Sequence, residues 1–345
     1  MSFLRGQIFD QNWKHMDNYS VSWADREITF PTFFRIPAVW WEGGSFFGPE
    51  DPRVILENAE GAEPIIVFNM ILNAPGNPRA MWLYRPFSDM TAVLTIRGEE
   101  RKPAEKNWAP FFHNDDDSDG DDGISRAPMT DLHFVYSLHP LRVLKCSIDD
   151  GACDWVFQQE VPRMLAVSHD DPHGEMRGGT TFVRVPIQGV SGLQVYAGFP
   201  RTHLNFCNAG ATYRPELVLL AGFGTSFHIA FASAALAFDL SRADNACGEG
   251  RMLVPGGILR WDYAHRQDKM DLLLSVSDAQ NRVVQIYGLL RFIHTIPYFA
   301  KMSRGKSLAD EALWNFPWSV VGNEVLQCSV EAAANSSRVD AGLML

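Results

Sequence analysis

Glu50 and Asp51 are the residues whose types and spacing speak most directly of chemistry. They stand beside Pro52 and Arg53 in the string Gly48-Pro49-Glu50-Asp51-Pro52-Arg53-Val54, at the start of an apolar run. A carboxylate can take a proton from a hydroxyl, and a guanidinium can bind an anion through paired hydrogen bonds. Pro52 lacks a backbone donor and biases the residue before it towards extended backbone. The string therefore predicts Asp51 in an extended conformation, aimed away from the strand start. Taken alone, it suits a turn with an acidic cap and a surface arginine equally well.

Other candidates lie further along. Glu105-Lys106-Asn107-Trp108-Ala109-Pro110-Phe111 offers a cation and an aromatic, and Arg177-Gly178-Gly179-Thr180-Thr181 an arginine before two glycines. Gly198-Phe199-Pro200-Arg201-Thr202-His203 and Tyr213-Arg214-Pro215-Glu216 add further cations. Arg53, Lys106, Arg177, Arg201, His203 and Arg214 are candidates to bind phosphate, with surface ion pairs as the plainer reading of each. Tyr136 and His139 are expected on one strand through Ser-Leu-His-Pro-Leu-Arg, Tyr136 as core. Asp278 suits either a sugar hydroxyl or the turn before Ala279-Gln280-Asn281. Trp40, Trp41, Trp108 and Trp261 can stack on sugar rings, although core packing is the more usual use of each.

Metal is not expected. Asp115, Asp117, Asp119 and Gly120 match the opening of a calcium loop, but Arg126 occupies the closing position, where a bidentate Glu belongs. The run Asp115–Asp122 reads as a solvated loop. None of the five cysteines stands in a CxxC pair. Cys146 and Cys153 flank Asp149-Asp150-Gly151, a hairpin signal, and either a cross-strand disulfide or two reduced thiols fits that placement.

The elements that must position these groups are strands. Short apolar or alternating runs recur between Gly, Pro, Asn and Asp: Pro64–Leu72, Ala80–Tyr84, Leu132–Leu138, Leu141–Ser147, Thr180–Val185, Leu193–Phe199, Leu217–Ala221, His228–Ala232, Asp271–Ser277 and Val283–Leu289. Helical character is confined to Leu308–Leu313 and Glu324–Ala334. The pattern predicts an all-β chain. A β-propeller fits it, with a sandwich as the alternative, and any blades have diverged beyond a visible repeat. No shift in composition divides the 345 residues, so one domain is expected. A formal charge of −11 argues against a nucleic-acid partner, yet leaves room for a phosphorylated ligand on a few local cations. The N-terminus shows no signal-peptide core, and Leu217–Phe238 splits at Gly222-Phe223-Gly224-Thr225-Ser226 into two strands rather than spanning a membrane.

Five motifs taken in order carry a resemblance. Glu50-Asp51-Pro52-Arg53, the Lys106 segment, Arg177-Gly178-Gly179-Thr180-Thr181, Tyr213-Arg214 and Ser275-Val276-Ser277-Asp278 resemble the signatures of the β-mannoside phosphorylases and hydrolases. The fuller strings GPEDPRVI, EKNWAPF, FVYSLHPLRVLKC, RGGTTFV and GFPRTHLNFC are closer to the fungal β-1,2-mannosyltransferases. That resemblance implies a five-bladed propeller over about residues 30–306, followed by a C-terminal helical segment and tail over 307–345. It also implies an inverting transfer of mannose from GDP-mannose to an α- or β-mannose oligosaccharide, in cell-wall glycan synthesis in the Golgi or secretory pathway. Any membrane anchor would lie outside this chain. Asp51 would be the base; Arg53, Lys106, Arg177, Arg201, His203 and Arg214 would hold the diphosphate. Glu50, Asn107, Trp108, His139, Gly179, Thr180 and Asp278 would contact sugar. No cofactor is implied beyond the donor. A phosphorylase or hydrolase, or a non-catalytic glycan-binding propeller, are the alternatives. Against the phosphorylases, Gly198–His203 replaces their Tyr-His-Gly phosphate motif.

Overall fold

The computed structural model describes residues 1–114, 128–160, 175–187, 192–207, 210–238, 252–263, 267–302 and 318–340. The acidic run Asp115–Asp122 and the helical stretch Leu308–Leu313 lie outside them. Two compact units are present. One comprises Met1–Trp108, Gly120–Leu132 and Lys145–Asp154; the other comprises Ala109–Asp119, His133–Leu144 and Trp155–Leu345.

The described chain is mostly antiparallel β. Strands β1 (Arg5–Gly6), β2 (Tyr19–Trp23), β3 (Arg26–Phe30) and β4 (Thr32–Phe33) make two short ribbons, β1 with β4 and β2 with β3. Next, β5 (Glu50–Ile55), β6 (Ile65–Ile71), β7 (Arg79–Arg85) and β8 (Met90–Val93) form a meander in chain order. Then β9 (Thr95–Ile96), β10 (Ala109–Phe111), β11 (Asp131–Leu138), β12 (Leu141–Ser147) and β13 (Ala152–Gln158) are ordered β10-β11-β12-β13-β9. The following strands are β14 (Glu175–Arg177), β15 (Val183–Val185), β16 (Leu193–Gly198), β17 (Arg201–Cys207), β18 (Gly210–Pro215), β19 (Val218–Phe223) and β20 (Ser226–Ala232). They interleave into β14-β17-β18 and β15-β16-β19-β20. A last sheet holds β21 (Leu253–Asp262), β22 (Lys269–Val276) and β23 (Gln280–Tyr287) in order. Helices α1 (Leu289–Thr295), α2 (Pro297–Met302) and α3 (Trp318–Asp340) follow.

The position of a strand in its sheet explains its burial. In β6 every residue but Ile71 is buried, as a continuous apolar run in a central strand demands. Its Ile66, Phe68 and Met70 pack with Leu4 and Tyr84 in the first unit. Truncating Phe68, which is fully buried, to alanine should cost about 3–5 kcal/mol. The second unit has two apolar clusters, one around Phe111, Tyr196 and Phe227, the other around Ala197, Leu219 and Leu272. Leu326 and Val330 bring α3 onto the former.

Several expectations need correction. His139 does not lie on a strand: β11 ends at Leu138, and His139-Pro140 makes the turn into β12, since proline has no donor for the ladder. Strand β15 starts only at Val183, because the Thr181 carbonyl and the Phe199 N–H bond to the Thr180 hydroxyl and the Phe182 N–H bonds to the Pro110 carbonyl. The last strand stops at Tyr287 rather than Leu289, and α1 and α2 follow within the span that the resemblance implies for blades. Gly288, with φ 77°, breaks the strand. The first turn of α1 takes its acceptors from Asp268, whose carboxylate receives the Leu290 and Arg291 N–H groups at 2.9 Å each. The thiols are settled as well, for Cys146 and Cys153 are joined in a disulfide across the β12–β13 hairpin.

Candidate active site

In the first unit the acidic motif sits on an irregular strand. Glu50 pairs with Asn69 and Arg53 with Val67, so three steps along β5 match two along β6. The extra residue makes a bulge, which bends the strand and re-aims a side chain. Pro52 is tolerated there because the bulge asks no donor of it. Asp51 is not extended, as its place before proline predicted: its φ is +51°, in the left-handed region. Bulge geometry overrides the pre-proline bias. For a residue other than glycine such backbone costs roughly 1–3 kcal/mol and must be held by its surroundings.

Two side chains hold it. Asn69, buried on β6, donates from Nδ2 to the Glu50 carbonyl at 3.1 Å and to Asp51 Oδ2 at 3.4 Å. Arg79, on β7, donates to Glu50 Oε2 at 2.7 Å and also to Asn69 Oδ1. Because Arg79 takes the amide oxygen, the Asn69 amide can present only N–H to the Glu50 carbonyl and the Asp51 carboxylate. A second guanidinium nitrogen of Arg79 donates to the Phe46 carbonyl at 3.3 Å. Phe46 is itself left-handed, with φ 59°. One arginine thus ties down two strained residues, while the Asp51 side chain remains exposed and able to meet a ligand.

The other candidates of this unit divide. Arg53 is buried and donates to the Pro52 carbonyl at 3.0 Å. Lys106 is exposed, Asn107 is half-buried with φ 66°, and Trp108 is buried, which favours a packing role for its ring.

In the second unit the cations gather on β14, β17 and β18. Arg177 lies opposite Arg201, and His203 opposite Tyr213. Alternate residues of a strand share a face, so Glu175, Arg177, Arg201, His203 and Tyr213 share one. Arg201, only 7% exposed, donates to the Gly178 carbonyl and stacks on Tyr213, its Cζ 5.3 Å from the ring centre. The His203 and Tyr213 rings are 5.1 Å apart. Arg177 pairs with Glu175 at 3.0 Å. An ion pair this accessible is worth about 0–1 kcal/mol, so an anionic ligand can compete for the guanidinium.

Register separates Arg214 from that group. It lies opposite Thr202, on the face that carries Met176, and is 4% exposed. Gly179 passes so close to the β16–β17 corner that a Cβ would stand 1.8 Å from the Phe199 carbonyl oxygen, so only glycine fits. Thr180 is fully buried; its hydroxyl donates to the Thr181 carbonyl at 2.7 Å and accepts the Phe199 N–H at 3.0 Å. Both residues shape the loop behind Arg177. His139 sits at its hairpin turn, and Asp278 is exposed at the β22–β23 turn, where Ser277 and Asp278 have φ 56° and 52°. The turn reading is the one this backbone favours for Asp278.

Asn69, Arg79 and Glu216 escaped the sequence reading. Asn69 and Glu216 had left a trace, each a polar residue set in or against a buried apolar strand. Arg79 left none, because only strand pairing brings it beside Glu50. Among the described residues no group of three or more His, Cys, Asp or Glu side chains gathers as metal ligands.

A mostly antiparallel β protein with a held, accessible carboxylate in one unit and a face carrying Arg177, Arg201 and His203 in the other is thus defined. The chain belongs to the beta-mannosyltransferase family, whose model matches residues 1–76 and 85–335. Beta-mannosyltransferase 1 of Komagataella phaffii is 31% identical over 315 residues, 85% of this chain and 46% of that protein. Beta-mannosyltransferase 3 of Candida albicans is 30% identical over 337 residues, 90% of this chain and 56% of that protein. The chain therefore spans about half the length of the curated relatives it matches. Among solved structures, a GDP-Man-dependent mannosyltransferase from Leishmania mexicana aligns over 69% of this chain and 68% of its own, at 13% identity and a TM-score of 0.40.

Proposed function

We propose that this chain is an inverting β-1,2-mannosyltransferase that uses GDP-mannose as donor and a mannose oligosaccharide as acceptor. Membership of the family supports mannosyl transfer. The single observation that carries the mechanism is the Arg79–Asn69–Asp51 chain of hydrogen bonds, which holds an exposed carboxylate in strained backbone. Asp51 accepts the proton of the acceptor hydroxyl. The freed oxygen attacks the anomeric carbon from the face opposite the diphosphate. The anomeric C–O bond breaks, its electron pair leaves on the β-phosphate oxygen, and configuration inverts once. A diphosphate leaves readily, so the second carboxyl function that a glycosidase requires is dispensable.

Arg177, Arg201 and His203 supply charge-assisted donors for the diphosphate on this reading. Their common face on β14 and β17 supports it. Arg214, on the other face, supports the sheet. The five sheets of three to five strands among the described residues are compatible with a five-bladed propeller, which we adopt as the architecture. A secretory compartment is consistent with the Cys146–Cys153 disulfide, since such bonds persist where the surroundings are oxidising. Among the described residues no helix is long and apolar enough to cross a membrane.

The test is incubation with GDP-mannose and an α-mannose oligosaccharide, followed by mass spectrometry and NMR of the product. The expected product is one hexose longer, β-1,2-linked, with GDP released in equal amount. Consumption of phosphate with a β-mannoside, and none of GDP-mannose, would replace this reading with a phosphorylase.

A further inference from the structure

Behind the cation face of β14-β17-β18 lies a carboxyl group that the proposed chemistry leaves unused. Glu216 is 0% exposed and sits at the joint where β18 ends and β19 begins. Burying a carboxyl group is unfavourable unless hydrogen bonds compensate, and an apolar side chain would fill the position at lower cost. Its contacts specify what it does. The Glu216 backbone N–H donates to the Pro200 carbonyl at 3.1 Å. Its Oε2 accepts the Thr202 backbone N–H at 3.0 Å. Pro200 immediately precedes β17 and Thr202 lies within it, and Arg201 is the residue between them.

Pro215 lies opposite Arg201 and brings no N–H to the ladder, so the pairing beside Arg201 depends on the residues next to it. The chain also turns at this point from the sheet of β18 to that of β19. Glu216 fastens β17 on both sides of the gap. Burial pushes its carboxyl well above the ordinary range, while hydrogen bonds from Thr202 and the charge of Arg214 act in the opposite direction. The Arg201 guanidinium is oriented separately, by the Gly178 carbonyl and the Tyr213 ring. Those contacts aim the side chain; the backbone that carries it is set by Glu216.

We propose that Glu216 is a positioning residue for donor binding: by clamping Pro200 and Thr202 it holds Arg201, and His203 beyond it, at the angle to Arg177 at which all three cations meet one diphosphate. This assignment rests on the donor reading given above. It differs from a general stabilising role, because its loss should reach the nucleotide and spare the acceptor.

The experiment is calorimetric titration of the whole chain with GDP and, separately, with mannotriose, for the wild type, Glu216→Gln, Glu216→Asp and Glu216→Ala. Gln keeps an oxygen that accepts the Thr202 N–H, so GDP affinity should stay within about 3-fold of wild type. Asp is one methylene too short to reach, and Ala has no acceptor; each should weaken GDP by about 10-fold or more, the typical worth of a buried hydrogen-bonded contact. Mannotriose affinity should not change. If Glu216→Ala fails to fold, the conservative Glu216→Asp decides. GDP affinity unaltered in the Asp and Ala variants, or lost in parallel with mannotriose affinity, would overturn the assignment alone. A wild-type chain that binds no GDP would overturn the donor reading and this assignment with it.

Discussion

The acidic cluster of the first unit and the cation face of the second solve opposite problems. The first must hold one exposed carboxylate in a single unfavourable conformation. It does so with a bulge, a left-handed backbone at Asp51, and hydrogen bonds relayed from Arg79 through Asn69. The second must present several like charges together. It does so on regular paired strands, where register alone puts Arg177 opposite Arg201 and sends Arg214 to the other side. On the proposed mechanism, strain concentrates where one proton must move, and regular geometry suffices where charge has only to be displayed. The strained site should therefore be sensitive to the chemical identity of one atom, and the regular one to the number of its donors.

The largest effect expected is at Asp51. Asp51→Asn preserves shape and removes the proposed base, and transfer should fall by roughly two to four orders of magnitude, with GDP affinity unchanged. Steady-state transfer rates together with GDP calorimetry check both halves. Transfer within a few-fold of wild type would remove Asp51 from the mechanism.

Arg201→Ala should do the converse. Loss of a charge-assisted contact, about 1.5–3 kcal/mol, should weaken GDP by about 10- to 150-fold while acceptor affinity holds. If GDP binds as before, Arg201 serves only to stack on Tyr213 and brace Gly178.

Arg79 sharpens the comparison from the first unit. Arg79→Ala keeps the Asp51 carboxylate itself but frees the Asn69 amide, the Glu50 carboxylate and the Phe46 carbonyl, and so loosens the brace on Asp51. Transfer should drop by about 10-fold through kcat, with little change in the KM for GDP-mannose, because misplacing a reacting group costs rate rather than ground-state binding. A rise confined to that KM would move Arg79 from the base to the donor.

The smallest effect should come from chelation. If the cations of the second unit neutralise the diphosphate unaided, excess EDTA should leave the transfer rate unchanged, and added manganese or magnesium should not raise it. A rate abolished by EDTA and restored by manganese would show that a divalent ion offsets the leaving charge, and would reopen the role of Glu50 and Asp51.

What the sequence made legible was local. Apolar alternation revealed β6, β7, β11, β12, β16, β19, β20 and β22, because a half-buried or central strand writes its environment into consecutive residues. The split of Leu217–Phe238 into two strands was visible in Gly224 and its neighbours, and the structure turns there. The β12–β13 hairpin was visible in Asp149-Asp150-Gly151, although not whether its cysteines are joined. What the tertiary structure decided was which of the legible residues meet. Arg79 reaches Glu50 only because β5, β6 and β7 pair in one register. Arg201 and Arg214 look equivalent along the chain, yet the same hairpin puts them on opposite faces. Asp51 looked extended because proline follows it, and a bulge set by its pairing with β6 turned it left-handed. A backbone bias of a kilocalorie or so acts between neighbours in sequence, whereas pairing and burial act between residues far apart in the chain; where the two conflicted, the long-range terms were the larger.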